Sequence, residues 1–352
     1  MNGSTGTADT EAAEVQLGGE PVEALACQAA GRARGKSVGD HLLLAAELGQ
    51  CVPLPASGRT RQRWELLASV AAVDLTAARV LEAHVDALAI LAEAGLSSVA
   101  GPGTTWGVFA AEGPGVRLDA VDQPGTGWVV SGTKPWCSLA GRLTHALVTA
   151  HVSGGRRLFA VPLQHPGVTV EPDTWHARGL VDVPSGPVHF EEVPAQPVGG
   201  TDWYLIRPGF AHGGIGVAAC WYGGAVGLAR ALARSLAARP PDQLAFWHLG
   251  HIDLALGAAR QALAAAAVEV DAGHAEGGPG EVLALRTRSA VAAAAETTIT
   301  TVGHALGPAP LTLDAEHATR VADLTVYLRQ HHAERDVARL GEMLHGRARL
   351  PW

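Results

Sequence analysis

The order of local patterns along this 352-residue chain constrains its fold more than any single motif does. Up to residue 100 the apolar residues recur at helical spacing: Trp64, Leu67, Ala71, Leu75, Ala78, Leu81, Val85, Leu88 and Leu91 fall three or four apart. Between them lie Glu65, Arg79, Glu82, Asp86 and Glu93, the pattern of a solvated face, and Gly95 marks a stop. A shorter helix is expected between Gly39 and Gly49, with Asp40 as its N-cap, and the glycine-containing basic run Gly31–Lys36 reads as a linker. From Gly101 glycine and proline become frequent. Short β-type runs follow at Trp106–Ala110, Val116–Val121, Gly127–Val130, Ala146–Val152, Arg157–Pro162, Val168–Glu171 and Pro187–Val193, divided by turns such as Gly113-Pro114-Gly115 and Ser153-Gly154-Gly155. After Gly200 helices return over Gly213–Ala238, Gln243–Ala272, Glu281–Val302 and Glu316–Leu344, with Leu244, Trp247, Ile252, Leu256 and Leu263 as core positions of the second. Helices, then strands, then helices exclude a doubly wound parallel sheet, which alternates the two throughout. The expected fold is α+β and mainly α. A loose terminus (1–14) precedes an N-terminal helical domain (15–104), a middle β sandwich or barrel (105–200) and a C-terminal four-helix bundle (201–352).

Composition narrows the function classes. The 26 basic and 34 acidic side chains give a net charge of −8, and no basic stripe is interleaved with aromatics, so nucleic acid is not an expected partner. Apolar residues make up 47% of the chain, yet no unbroken apolar run reaches bilayer length, so no membrane insertion is expected. The first residues have neither a basic start nor an apolar core segment, so no signal peptide is read there. Cys27, Cys51, Cys137 and Cys220 are far apart and form no paired motif, which favours a reducing, cytoplasmic setting. The 16 histidines are scattered and only His248 and His251 sit three apart, so no metal site is expected.

One stretch carries chemistry. Gly127-Trp128-Val129-Val130-Ser131-Gly132-Thr133-Lys134-Pro135-Trp136-Cys137-Ser138 resembles the flavin-contacting segment of acyl-CoA dehydrogenases, in which a strand leads through Gly-x-Lys to Trp-x-Thr/Ser. The family's domain order is also the one read above, and the resemblance runs from Trp64 to Leu344. It implies FAD as cofactor between the β domain and the bundle, with Trp136 beside the ring and Ser138 facing the hydride-accepting nitrogen, Cys137 lying between them. Phe109-Ala110-Ala111-Glu112-Gly113-Pro114-Gly115 stands where the family has an apolar strand ending in Thr-Glu-Pro-Gly. There Ala110, Ala111 and Glu112 offer main-chain contacts, with Ala111 replacing the family's Thr. Gly223–Leu232 resembles the start of the first long C-terminal helix, and Arg207-Pro208 the Arg-Pro before it, which makes Arg207 a substrate-side candidate.

Departures from the family are equally specific. Arg239-Pro240-Pro241-Asp242 replaces Arg-x-x-Phe-Gly, leaving Arg239 as the candidate for the flavin pyrophosphate. Thr300-Thr301-Val302-Gly303-His304 replaces Gln-x-x-Gly-Gly, leaving Gly303. The family's dehydrogenation needs a carboxylate that removes a proton α to the thioester. Counting from Asp323 puts His331 at that position; a shifted alignment brings Glu334 there, and the other family position falls near Ile206 and Val217. An imidazole at His331 is able to exchange protons near neutral pH, as in flavin monooxygenases of the same fold. Desaturation of an acyl-CoA leads. A flavin-dependent monooxygenase and a non-catalytic subunit of a heteromeric dehydrogenase stay open beside it. A homodimer or homotetramer, or a heteromer with a homologue, is the expected assembly.

Overall fold

The computed structural model describes residues 14–125, 127–238 and 240–345. The expected loose terminus therefore lies outside the described residues except for Glu14, and so does Arg239. The N-terminal helices are α1 (Ala24–Ala33), α2 (Val38–Leu48), α3 (Thr60–Val73) and α4 (Leu75–Glu93). The run read as a linker thus begins inside α1. The N-cap of α2 is Ser37, not Asp40: Asp40 closes the box from the third helical position, donating its amide to Ser37 Oγ (3.2 Å) and accepting from the Ser37 amide (3.1 Å). The long apolar periodicity is two helices. Asp74 breaks it with an extended backbone and caps α4 through the Ala77 amide at 2.8 Å.

The middle region holds β1 (Trp106–Phe109), β2 (Leu118–Gln123), β3 (Gly127–Lys134), β4 (His145–Val152), β5 (Gly155–Pro162), β6 (Val168–Val170), β7 (Val188–Pro194) and β8 (Gln196–Val198). The described strands form one mixed sheet in the order β6-β7-β3-β2-β4-β5-β8, with β1 pairing parallel to β4. The β3–β7 register shifts between Val130 and Gly132. Gly132 has φ +120°, and a Cβ there would overlap the Arg117 carbonyl, so only glycine fits the bulge.

The C-terminal part comprises α5 (Trp203–Ile206), α6 (Pro208–Ala237), α7 (Gln243–Asp271), α8 (Gly277–Leu306), α9 (Ala309–Leu313), α10 (Ala315–Tyr327) and α11 (Glu334–His345). Helix α6 is the hub. It packs against α3, α4, α7, α8 and α10, and a Cβ at Gly223 would overlap the Ala68 carbonyl of α3, so its glycines serve close helix approach. This helix is long and apolar enough to cross a bilayer, contrary to the reading of the bare sequence, but 72% of its apolar window is buried inside the fold, the position of a core helix. The expected helix over 316–344 is broken. Helix α10 ends at Tyr327, a 3-10 turn spans Leu328–Gln330, His331 is extended, and Ala333 sits at φ +49°.

Candidate functional site

The β-domain edge of the site is built by the end of β1 and the turn after β3. Lys134 ends β3 with its side chain buried; Nζ donates to Glu112 Oε1 at 2.7 Å and to Thr149 Oγ1 at 2.9 Å. His151 and Arg156 each approach Glu112 to 3.4 Å. Burial alone would raise the Glu112 carboxyl, but the Lys134 bond and the Arg156 charge outweigh it and hold the group low. The Glu112 side chain is thus committed within the chain. Ala110 is half-buried, its carbonyl accepting from Thr149 at 3.4 Å, and Ala111 is exposed.

Trp136 follows in the left-handed region at φ +60°, and so does Leu139 at φ +59°. For a bulky residue this conformation costs on the order of 1–3 kcal/mol. Two main-chain bonds impose it, from the Cys137 amide to the Gly186 carbonyl (3.0 Å) and from the Leu139 amide to the Pro184 carbonyl (2.8 Å). The result turns the indole outward, 59% exposed, and the Cys137 thiol inward, against the Lys134 carbonyl at 3.3 Å. Both the amide and the thiol of Cys137 are thus bonded inside the domain. Ser138 Oγ lies 2.8 Å from Ser185 Oγ and accepts from Arg79 Nη2 at 3.2 Å. An uncovered indole held in a strained turn, beside a hydroxyl and a guanidinium, fits a planar, hydrogen-bonding, electron-accepting ring such as a flavin.

Arg79 belongs to the stripe of α4 that the sequence suggested was solvated. The structure reverses this expectation. Helix α4 is packed against α2, α3, α6, α10 and β1, so it has no broad solvent face, and its charged residues are drawn inside. Glu65 of α3 is buried as well, accepting from the Leu17 amide at 3.0 Å. On α4, Arg79 Nη1 bonds Glu82 Oε2 (2.8 Å), the Tyr327 hydroxyl donates to the same oxygen (3.1 Å), and the Arg79 guanidinium lies 5.8 Å from the Tyr327 ring centroid. One turn along stands Asp86. Two turns further Glu93 receives Arg207 Nη1 at 2.6 Å and the Gly209 amide at 3.1 Å. Burial pushes the Glu82 and Asp86 carboxyls up; the arginines around them, Arg79 for Glu82 and Arg207 for Asp86, act against that rise. Arg79, Asp86 and Glu93 are seven apart, so they share one helix face, and that spacing was the available signal.

Asp86 and Arg207 open on a cavity of about 690 Å³ between α4, α5, α6, α8 and α11. Arg207 is buried with its guanidinium 5.2 Å from the Tyr204 ring centroid, so the structure does place it beside a ligand-sized space. Ile206 and Val217, where the family's second base position falls, line the same cavity. Arg288 crosses its floor, donating to the carbonyls of Gly214 (2.6 Å) and Gln330 (2.8 Å), with its charge 4.8 Å from the Trp221 ring centroid. His332 and Asp336 reach the cavity from the broken helix, paired at 3.2 Å.

His331 does not line it. Its ring is turned behind the wall, edge-on to Trp221, with Nε2 3.0 Å from Ser289 Oγ and 3.7 Å from Asp336 Oδ2. Burial pulls its pKa down, and Asp336 opposes this in part, so the neutral ring is favoured. The helix break, invisible in the periodicity, sets this outcome. Gly303, a cofactor-side candidate, does not line this cavity. The cavity uses the first turns of α8 up to Arg288, and fifteen residues of helix put Gly303 about 22 Å further along the axis.

The family model described as acyl-CoA dehydrogenase, middle domain, matches residues 114–193. Among solved structures, glutaryl-CoA dehydrogenase from Mycobacterium smegmatis is 17% identical with a TM-score of 0.77, covering 92% of this chain and 94% of that one. KijD3, solved with FMN and dTDP-3-amino-2,3,6-trideoxy-4-keto-3-methyl-D-glucose, is 20% identical with a TM-score of 0.75 and coverage of 92% and 94%. Dibenzothiophene monooxygenase from Paenibacillus is 18% identical with a TM-score of 0.74 and coverage of 93% and 98%. No curated protein sequence matches significantly. The middle region thus matches the acyl-CoA dehydrogenase middle-domain family, and the chain as a whole has the three-part fold of acyl-CoA dehydrogenases and the flavin enzymes built like them.

Proposed function

We propose that the chain is a flavin-dependent oxidoreductase, with FAD held at the Trp136–Ser138 turn, that oxygenates a small polar molecule bound in the cavity under α6. The flavin would supply the redox chemistry. The chain's own residues divide the remaining work. Trp136 and Ser138 hold and orient the ring, Arg79 places a positive charge at that hydroxyl, and Arg207, Arg288 and Asp86 orient the substrate. The observation that carries this reading is the set of charged groups in the cavity: Asp86 of α4, Arg207 between α5 and α6, Arg288 of α8 and Asp336 of α11 line it beside the apolar Leu205, Ile206, Phe210 and Leu285. The related folds of a dibenzothiophene monooxygenase and of KijD3 support it. Desaturation of an acyl thioester is the second reading, and Asp86 favours it as an unbonded carboxylate facing a substrate space.

An anaerobic spectral titration separates the two. An oxygenase stays yellow with acyl-CoA, bleaches with a chemical or enzymatic reductant, and then consumes oxygen in proportion to product. Bleaching by acyl-CoA alone establishes the dehydrogenase. Trp136→Ala is expected to weaken flavin binding about tenfold, the loss of one aromatic stack. Fluorescence titration with FAD and with FMN measures this and decides which flavin is resident. We also propose a cytoplasmic, homo-oligomeric protein, on the free cysteines and on the apolar face of α7 discussed below.

A further inference from the structure

Among the described residues, Asp86 is the one cavity-lining carboxylate with no hydrogen-bond or ion-pair partner. Glu281 is paired with Arg339 at 2.8 Å, and Asp336 with His332 at 3.2 Å and His331 at 3.7 Å. Asp86 makes no hydrogen bond and no ion pair among the described residues. Arg207, Arg63 and Arg79 reach it only through their fields; their hydrogen bonds go elsewhere, from Arg207 to Glu93, from Arg79 to Glu82, and from Arg63 to the Pro53 carbonyl at 2.9 Å. A desolvated carboxylate without donors is costly, and proteins keep one where a ligand completes it. Gly213 lies opposite: a Cβ there would stand 2.6 Å from Asp86 Oδ1, so the absent side chain gives the carboxylate its room. The cavity wall beside it is aromatic, with Tyr204 and Phe210 packed edge to face at 5.5 Å.

We propose that Asp86 is the anchor for a primary amine, and that the substrate of this site is therefore an amine-bearing small molecule. The ammonium group brings three N–H donors, the hydrogen bonds that Asp86 lacks, while Tyr204 and Phe210 cover the carbon skeleton next to it. This deepens the reading of the cavity given above and rests on it.

The test uses two probes of one shape, cyclohexylamine, which is cationic at pH 7, and cyclohexanol, added to the full chain in a calorimeter. The wild-type chain is expected to prefer the amine at least tenfold, roughly 1.4 kcal/mol. Asp86→Asn is expected to abolish the preference, and Asp86→Glu to restore part of it. Gly213→Ala serves as a second variant, which separates a lost anchor from misfolding of Asp86→Asn. It leaves every charge in place, displaces the carboxylate, and is expected to reduce the preference while cyclohexanol binding stays within twofold. Equal affinity for the two probes, no heat from the amine, or a preference that survives in Asp86→Asn overturns the proposal. Probe binding needs no flavin, so a wild-type chain that takes up neither FAD nor FMN refutes the flavoprotein reading while the amine preference is still measured.

Discussion

Helices α4 and α7 invert the usual distribution of polar and apolar side chains in opposite senses. Helix α4 buries an arginine and a glutamate and turns an aspartate into a cavity. Helix α7 leaves Leu244 (67%), Phe246 (60%), Trp247 (57%) and Leu254 (74%) exposed. Two of these, Leu244 and Trp247, were expected in the core; Ile252, Leu256 and Leu263 are where the periodicity placed them. Neighbours account for the contrast. Helix α4 is enclosed by four helices and a strand, so whatever faces outward in a two-layer picture faces another element here. Helix α7 packs against α8, α6 and α3 on one side only. A hydrophobic period reports which residues face one another within an element, not how many elements surround it. Buried polar groups and exposed apolar patches are therefore the two places to look for function, a site in the first case and a contact surface in the second.

The sharpest way to break this comparison is Glu82→Ala. If the stripe is buried as described, the substitution leaves the Arg79 guanidinium without its counter-charge and the Tyr327 hydroxyl without its acceptor. A loss of about 3–5 kcal/mol is expected, seen as a lower urea midpoint with an unchanged slope. Glu82→Gln keeps an acceptor for Tyr327 and should cost less. A loss under 1 kcal/mol for Glu82→Ala means that the stripe is solvated after all, as its sequence pattern first suggests.

A second test sits at the seam between the β domain and the bundle. Asp323 of α10 is 4% exposed and accepts from the Leu180 amide at 2.6 Å. Burial raises its pKa from 3.8 to about 6, and Asp74 and Asp182 add to the rise; the Leu180 bond and Arg320 oppose it. The folded state thus holds this proton more tightly than the unfolded chain. Its contribution to stability is complete below pH 3.8 and is lost as pH rises through 6. Above that the ionised carboxylate is a burden of up to about 3 kcal/mol. Asp323→Asn keeps the acceptor and removes the charge, so it is expected to stabilise the fold by about 1–3 kcal/mol at pH 8 and by nothing at pH 4. Urea titrations at the two pH values check this; an equal effect at both assigns the change to packing.

Much of the architecture was legible because it rests on short-range signals. Turn residues bracketed seven of the eight described strands, the three-residue β8 escaping notice, and the small-residue run Gly223–Leu232, which resembled the start of the first long C-terminal helix, lies within α6. The β-domain half of the site was legible for the same reason. Lys134, Trp136 and Ser138 are consecutive or nearly so, and the local turn alone fixes which of them point outward. The cavity half was not legible. Asp86, Arg288 and Asp336 come from three helices and Arg207 from the junction of α5 and α6, and they meet only through tertiary packing. His331 stands off the cavity because α10 ends at Tyr327 and the chain is extended at His331, a break that the apolar spacing does not mark.

The smallest expected effect on the fold sharpens the other side of the comparison. Trp247 and Leu254 lie two turns apart on the outer face of α7, Trp247 stacking on His251 at 4.7 Å, and neither is in the hydrophobic core. Replacing both with serine should leave the protomer's own stability within about 0.5 kcal/mol, as for surface positions with no internal partner. If a second copy of the chain covers this face, as we propose, the doubly substituted protein sediments with a smaller mass than the wild type at the same concentration, because the apolar area that holds the copies together is gone. A loss of protomer stability well above 1 kcal/mol, measured in dilute solution where both proteins are monomeric, would place these side chains inside the fold, and α7 would then differ from α4 only in the identity of what it buries. Unchanged stability and unchanged mass together would leave the face solvated, and the contrast between the two helices would reduce to α4 alone.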